Sequence, residues 1–216
     1  MHDLASLSAV LRSLQQADVP FVVMGGQAVG AYGASEGSRD LDIYLAAAEV
    51  SVPRLTAWLD QVHAELRYLP PISAAVLERG HTVHYDIHFG AASVVRLDVC
   101  TRPARIADPE HLQSRAMPYT LADGTTILIM GLSDLILTKK TQRLKDWGAI
   151  ELLLDASIAR SSAPSAALVT VWLEELRELQ DGLDADAAYQ KSLSSELEAM
   201  RQQARRDPRQ EHPLEP

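Results

Sequence analysis

The sequence is poor in cysteine, in lysine and in long apolar runs, and each shortage excludes a class of protein. Cys100 is the one cysteine among 216 residues, so no internal disulfide and no cysteine-based structural zinc site can form. No stretch approaches the roughly 18 uncharged apolar residues that a membrane span needs. The first residues lack the basic and apolar regions of a signal peptide, so we expect a cytoplasmic protein with no membrane partner.

Positive charge is also scarce. Twenty basic residues stand against 29 acidic ones, which gives a net charge of −9 and no global footprint for nucleic acid. Of the four lysines, three lie together with one arginine in a single short segment: Lys139, Lys140, Arg143 and Lys145. On charge alone, a solvated helix face is the favoured interpretation of this segment, and an anion site is the alternative.

Hydrophobic patterning predicts a mixed α/β half up to about residue 131 and an all-helical half after it. Apolar spacing predicts helices over residues 3–17 and 51–66 and strands over residues 21–24 and 40–45. Alternating residues predict two hairpins, which pair 83–89 with 95–100 and 119–121 with 125–130. We therefore expect an α/β core over residues 1–131, a helical region over 132–205 that begins at a Ser133 cap, and a disordered tail over 206–216.

The segment that carries chemistry is a glycine pair followed by a carboxylate pair. Gly25 and Gly26 follow a short apolar run, and a turn there lets the backbone approach phosphate oxygens closely. Asp40 and Asp42 lie two apart in a predicted strand, so both carboxylates point to one face. Carboxylates held that close repel each other, and a divalent cation is the usual compensation. Together these features are the equipment for metal-assisted phosphoryl chemistry.

A second polar cluster lies in the predicted hairpin. His84, Asp86 and His88 share one strand face, whereas His81 falls on the other. Histidine is a common ligand of transition metals, but a polar, half-exposed strand face is the favoured interpretation. That face could still border Asp98 across the hairpin. Cys100 has no base partner that the sequence can place, so we interpret it as a packing residue.

The sequence resembles the DNA polymerase beta-like nucleotidyltransferase superfamily, and most of all its minimal bacterial members of the toxin-antitoxin and abortive-infection types. The resemblance lies in Met24-Gly25-Gly26-Gln27-Ala28, in Ser38 and Asp40-Leu41-Asp42-Ile43, and in Leu97-Asp98-Val99. A later segment also matches, through Asp134, Leu135, Ile136, Lys139, Arg143, Lys145 and Asp146. It implies an α/β fold with a mixed β-sheet flanked by helices, followed by a C-terminal helical region, so that residues 1–131 would be the catalytic core.

The resemblance also implies roles for individual residues. Asp40, Asp42 and Asp98 would hold two Mg²⁺ ions, and Asp98 could accept the proton of the attacking hydroxyl. The triphosphate of an NTP substrate would lie against Gly25, Gly26 and Gln27, with Ser38 nearby and Lys139 as a neutralising cation. Many relatives carry arginine where this chain has Glu36, and Arg39 is a candidate to supply that charge.

The acceptor of the nucleotide is left open by the sequence. A tRNA 3′ end or a partner protein such as an antitoxin fits the toxin-antitoxin resemblance, and it is the leading interpretation. An aminoglycoside-type antibiotic is the alternative within the superfamily, and a net charge of −9 fits a cationic small molecule equally well. A non-catalytic nucleotide-binding protein on the same fold is the second class, although the presence of all three acidic positions favours an enzyme. Oligomeric state is not predicted.

Overall fold

A computed structural model describes residues 4–34, 38, 40–89, 93–141 and 144–160, together with Glu174, Arg177, Glu178, Asp181 and Ser195. Contacts divide the chain into two compact units, residues 1–163 and residues 164–216. The five residues named last belong to the second unit and are helical. The predicted tail over residues 206–216 lies outside the described residues. Within those residues, no helix is both long and apolar enough to cross a membrane.

The described part of the first unit alternates helices and strands. Its strands are β1 (Phe21–Met24), β2 (Asp40–Leu45), β3 (Glu65–Leu66), β4 (Val83–Phe89), β5 (Ser93–Cys100), β6 (Met117–Thr120) and β7 (Thr126–Ile129). Its α-helices are α1 (Leu4–Gln16), α2 (Gly25–Ala31), α3 (Ala48–Gln61), α4 (Ala74–Glu78), α5 (Leu132–Lys139) and α6 (Leu144–Arg160). Two short 3₁₀ turns, Pro109–His111 and Gln113–Arg115, precede β6. Both α5 and α6 lie in the first unit, although the sequence assigns them to the C-terminal helical region.

The strands form one mixed sheet in the order β3-β4-β5-β2-β1-β7-β6. Strands β2 and β5 are parallel, as are β1 and β7, and the other neighbours are antiparallel. The two predicted hairpins are present as β4–β5 and β6–β7. A mixed sheet flanked by helices is the predicted fold class, and the structure confirms it.

The central strands separate a core face from a polar face. Alternate residues of β2, β4 and β5 are apolar and at most 7% exposed, namely Leu41, Ile43, Val83, Tyr85, Ile87, Val95, Leu97 and Val99. Successive side chains of a strand point to opposite faces, so the residues between them share the other face. Those residues include Asp40, Asp42, His84, Asp86, Arg96 and Asp98. The burial of one face therefore fixes which side of the sheet carries the polar groups.

Three helix ends differ from those predicted. The glycine pair does not form a separate turn, because α2 begins at Gly25 directly after β1. Helix α3 starts at Ala48 and ends at Gln61, so Ser51 lies inside it and is not its cap. The Ser51 hydroxyl donates to the carbonyl of Ala46, which precedes the helix. Helix α5 begins after Gly131 rather than at a Ser133 cap, and the carbonyl oxygen of Arg115 would lie 2.6 Å from a Cβ at Gly131.

The cationic segment is not a single helix. Helix α5 ends at Lys139, Lys140 leaves the helical conformation with ψ of 70°, and α6 begins at Leu144. Arg143 itself lies outside the described residues.

Candidate active site

The three predicted carboxylates meet on the polar face of the sheet. Strand β2 pairs with β5 so that Asp42 lies opposite Asp98 and Asp40 lies opposite Arg96. Because the two strands are neighbours and the residues are two apart in each, all four side chains point to the same side. The structure thus assembles Asp40, Asp42 and Asp98 from positions 56 residues apart in the chain.

Asp42 has a raised pKa. Burial is the largest cause and raises its pKa, the negative charges of Asp98 and Asp40 raise it further, and its pKa reaches about 6. The positive charges of Lys139 and Arg96 act in the opposite direction. Two carboxylates close enough to raise the pKa of a third form a site that attracts a cation.

Arg96 lies between two of the carboxylates. Its guanidinium forms an ion pair with Asp40, and its Nε lies 3.2 Å from Oδ1 of Asp98 without the alignment of a hydrogen bond. Its side chain is only one-third exposed. This residue was missed by sequence reasoning, although its position two before Asp98 in a strand already places it on the same face.

His84 contacts the third carboxylate across the hairpin. It pairs with Asp98 in the β4–β5 register, and its Nδ1 lies 2.8 Å from Oδ1 of Asp98. Asp86 instead binds Arg67 through both carboxylate oxygens at 2.8 and 2.9 Å, and His88 lies 3.5 Å from Glu65. The three polar residues of β4 therefore have three different partners, as expected of a polar strand face. His84 does border Asp98, as the sequence allowed.

The glycine pair lies against the acidic strand. Gly25 has a φ of +62°, and a Cβ added there would lie 2.2 Å from Oδ2 of Asp42. A Cβ at Gly26 would lie 2.4 Å from Cβ of Ser38. Both positions require glycine because α2 starts in close contact with Asp42 of β2 and with Ser38 just before it.

Gln27 and Ser38 brace the backbone of Asp40. The side-chain amide of Gln27 donates to the carbonyl oxygens of Ser38 at 3.0 Å and Asp40 at 3.4 Å. The Ser38 hydroxyl accepts from the backbone N–H of Asp40 at 3.3 Å and donates to its carbonyl at 3.2 Å. Their positions fix where β2 begins, and their predicted contact with a triphosphate stays a prediction. Arg39 and Glu36 lie outside the described residues.

Lys139 is buried rather than displayed on a helix surface. Its side chain is 11% exposed, and its Nζ lies 3.6 Å from the fully buried carboxylate of Asp146 in the first turn of α6. Thr141 donates to the same carboxylate at 2.5 Å. Since its charge also lowers the pKa of Asp42, Lys139 is close enough to influence the acidic site. A solvated helix face is therefore not the correct description of this lysine.

Cys100 completes the polar face at the end of β5. Burial raises the pKa of its thiol to about 12, with the charge of Asp42 as the next cause. Its Sγ lies 3.7 Å from the sulfur of Met24. A thiol that stays protonated and packs against methionine agrees with the packing role predicted for it.

The donor set suits a hard divalent cation. Carboxylate oxygens are the ligands that Mg²⁺ takes from proteins, and the negative charges of Asp98 and Asp40 add to burial in raising the pKa of Asp42. The described residues do not hold a preformed cage of three or more ligands, because the carboxylates of Asp40 and Asp98 are drawn to Arg96 and His84. Carboxylates that could bind Mg²⁺ are thus present on one face of the sheet, and the guanidinium of Arg96 lies among them.

No protein-family model matches the chain, and the search of curated proteins found no match. Among solved structures, the chain is similar to the lincosamide antibiotic adenylyltransferase LnuA bound to lincomycin. The TM-score is 0.50 at 14% sequence identity, and the match covers 70% of this chain and 96% of LnuA. At this identity the likeness concerns the fold alone. It confirms the predicted nucleotidyltransferase type of α/β fold.

The antibiotic-resistance factor ANT(2″)-Ia is also similar. Its solution structure matches with a TM-score of 0.46 and 14% identity over 86% of this chain and 96% of that one. Its complex with adenylyl-2″-tobramycin matches with a TM-score of 0.47 and 12% identity over 80% and 95% of the two chains. Both TM-scores are below 0.5, so the fold assignment rests on LnuA.

Two of the three glycines of α2, Gly26 and Gly30, should respond oppositely to alanine. Gly26→Ala places its Cβ against Ser38, so we expect a loss of stability as the segment before β2 is displaced. Gly30→Ala, in the same helix, meets nothing within 4 Å and should stabilise the protein by about 0.5–1 kcal/mol. Urea unfolding of both variants checks this, and equal effects would contradict the close contact at Gly26.

Asp42→Asn should stabilise the protein at neutral pH in a chelating buffer. The native pKa of Asp42 is raised to about 6, so between pH 4 and pH 6 unfolding releases a proton and stability falls as pH rises. Above pH 6 the ionised Asp42 carboxylate lowers the free energy of unfolding by about 3 kcal/mol, and below pH 4 this loss of stability is absent. Asn carries no charge, so the gain should grow from pH 4 to 6 and then stay constant. Denaturant unfolding across this pH range measures it, with the exposed Asp60→Asn as the control expected to show no such gain.

Proposed function

We propose that the protein is a Mg²⁺-dependent nucleotidyltransferase that moves a nucleoside monophosphate from an NTP to the hydroxyl of a small-molecule acceptor. The observation that carries the proposal is the convergence of Asp40, Asp42 and Asp98 on one sheet face beside a helix that starts with two glycines. The nucleotidyltransferase type of fold supports it.

Each part of the site has a place in an in-line displacement. The acceptor hydroxyl oxygen forms a bond to the α-phosphorus while the bond to the β-phosphate oxygen breaks, and pyrophosphate leaves. Asp98 would take the hydroxyl proton on Oδ2, since its contacts with His84 and Arg96 both fall on Oδ1. Asp40, Asp42 and Asp98 would hold Mg²⁺, which stabilises the charge that develops on the phosphate oxygens.

The triphosphate belongs on the α2 side of the carboxylates in this proposal. Gly25 and Gly26 allow α2 to begin close to Asp42 and Ser38, and Gln27 and Ser38 hold the backbone that leads into Asp40. Lys139 supplies positive charge from the end of α5, where Asp146 holds it. Arg39 remains a candidate for a further phosphate contact.

Electrostatics favour a neutral or cationic acceptor over RNA. The two described arginines of the polar face, Arg67 and Arg96, both bind carboxylates of that face. Asp98, Asp42 and Glu65 add further negative charge beside them. A polyanionic tRNA needs unpaired cations along its phosphates, and this surface opposes it. LnuA, an antibiotic adenylyltransferase, has the same fold, so an antibiotic-type acceptor is the better-supported alternative and replaces tRNA or a partner protein as the leading one.

The function is tested by following the nucleotide. The protein is incubated with NTPs labelled at the α-phosphate, Mg²⁺ and, in separate reactions, tobramycin, lincomycin and total tRNA. We expect a labelled small molecule and pyrophosphate, and we expect Asp42→Asn to lose at least about a thousandfold in rate because it removes a carboxylate that would hold the charge-stabilising Mg²⁺. Asp60→Asn should remain active.

A matched measurement separates loss of chemistry from loss of fold. Asp42→Asn is expected to be at least as stable as the parent protein above pH 6, so an unfolded variant is not the expected cause of inactivity. Transfer by Asp42→Asn at the parental rate under saturating Mg²⁺ would show that the carboxylates do not perform the reaction. Label found on tRNA alone would show that the acceptor is tRNA, as the toxin-antitoxin resemblance predicts.

Lys139 should contribute to nucleotide binding. Removing it alone leaves a buried carboxylate without its ion pair, which costs about 3–5 kcal/mol of stability, so the informative variant is the double change Lys139→Gln with Asp146→Asn. This pair keeps hydrogen-bonding capacity and removes both charges. We expect KM for ATP to rise about 10- to 100-fold, as fits loss of a charge-assisted contact of roughly 1.5–3 kcal/mol. An unchanged KM in the folded double variant, matching that of the exposed Arg79→Ala, would make the pair purely structural.

A further inference from the structure

An exposed aromatic ring lies near an exposed carboxylate at the β3 edge of the polar face. Tyr68 is 56% exposed and the side chain of Glu65 is 73% exposed, and we call these two residues the β3-edge wall. Glu65 pairs with Asp86 of β4, and the backbone N–H of Arg67 donates to the carbonyl of His84, so the wall is joined to the strand that carries His84.

A continuous line of contacts joins this wall to the candidate base. Tyr68 meets the ring of His84 edge-on, with ring centroids 5.6 Å apart and an interplanar angle of 80°. His84 in turn lies 2.8 Å from Asp98. Side-chain exposure rises along the line, from 10% at Asp98 to 29% at His84, and Tyr68 is more than half exposed. A molecule that packs against Tyr68 is therefore separated by the His84 side chain from the Asp98 carboxylate, which would take its proton.

The charges around the wall select the kind of molecule. Arg67 lies with its Cζ 5.6 Å from the Tyr68 ring centroid, and its guanidinium is held by both oxygens of Asp86. Glu65, about three-quarters exposed, stands opposite Asp86 in the β3–β4 register. The wall thus offers the Tyr68 ring and the Glu65 carboxylate to a ligand, whereas Arg67 is already paired with Asp86.

We propose that the β3-edge wall binds the acceptor, and that the acceptor is a cationic molecule built of saturated rings. Its C–H surface would pack on Tyr68, an ammonium group would face Glu65, and its reacting hydroxyl would reach Asp98 past His84. Tyr68 is then a specificity-determining residue that acts on acceptor binding and leaves nucleotide binding alone. The inference rests on the proposed function for the identity of the reaction, but the binding surface itself can be tested separately.

Steady-state kinetics with ATP and tobramycin test the role of Tyr68. We expect Tyr68→Ala to raise KM for tobramycin at least about tenfold, while KM for ATP and kcat at saturating tobramycin stay within about twofold. Tyr68→Phe should behave like the parent, because the ring and not the hydroxyl makes the surface. Tyr119→Ala, a tyrosine of β6 at the opposite edge of the sheet, is the matched control and should change nothing.

Other outcomes would overturn the proposal. An unchanged KM for tobramycin in Tyr68→Ala, or an equal rise in Tyr119→Ala, would remove the wall from the acceptor site. A parallel rise in KM for ATP would show a general disturbance of the sheet edge rather than acceptor recognition. Transfer confined to tRNA and insensitive to Tyr68→Ala would replace the cationic acceptor by a polyanion.

Calorimetry with tobramycin alone, without nucleotide or Mg²⁺, separates this inference from the proposed function. Binding to the parent protein that disappears in Tyr68→Ala and persists in Tyr119→Ala supports the wall even if no transfer occurs. Absence of binding to the parent protein overturns it even if nucleotide is transferred elsewhere. Thermal melting confirms that each variant is folded, as expected for a side chain that is more than half exposed.

Discussion

The parallel pairing of β2 with β5 is the constraint on which the site depends. It sets Asp42 opposite Asp98 and Asp40 opposite Arg96, and it is fixed by the buried residues Leu41, Ile43, Leu97 and Val99 on the other face. A slip of one residue would carry every side chain of a strand to the opposite face and bury the carboxylates in the core. Burial of the hydrophobic face therefore fixes which side chains lie on the polar face. The antiparallel pairing of β4 with β5 places His84 opposite Asp98 on that face in the same way.

The price of this arrangement is charge repulsion, and the surrounding residues reduce it without abolishing it. Arg96 binds Asp40 and approaches Asp98, Lys139 acts from the end of α5, and still the pKa of Asp42 is raised to about 6. Active sites commonly retain such unfavourable electrostatics because the same charges bind the reacting groups. In the first turn of α2, Gly25 leaves room for the Asp42 carboxylate.

Features encoded within one strand or one hairpin were predictable from the sequence, and features that depend on distant pairing were not. The spacing of Asp40 and Asp42 fixes their common face, and the alternation in β4 and β5 places His84 near Asp98. The contact of Arg96 with Asp40 requires knowledge that β2 and β5 are neighbours, which no local pattern carries. The end of α5 at Lys139 was missed because the following residues keep helix-forming side chains, and the buried pair with Asp146 is a tertiary contact.

Arg96 gives the acidic face a cation that is part of the polypeptide itself. Domains whose only counter-charge is a bound metal cannot complete folding until that metal arrives, and chelators unfold them. Here the guanidinium between Asp40 and Asp98 is present as soon as β5 is synthesised, and it accompanies the strand into the sheet. The acidic face therefore has a counter-charge of its own in the folded protein, whether or not a divalent ion is bound.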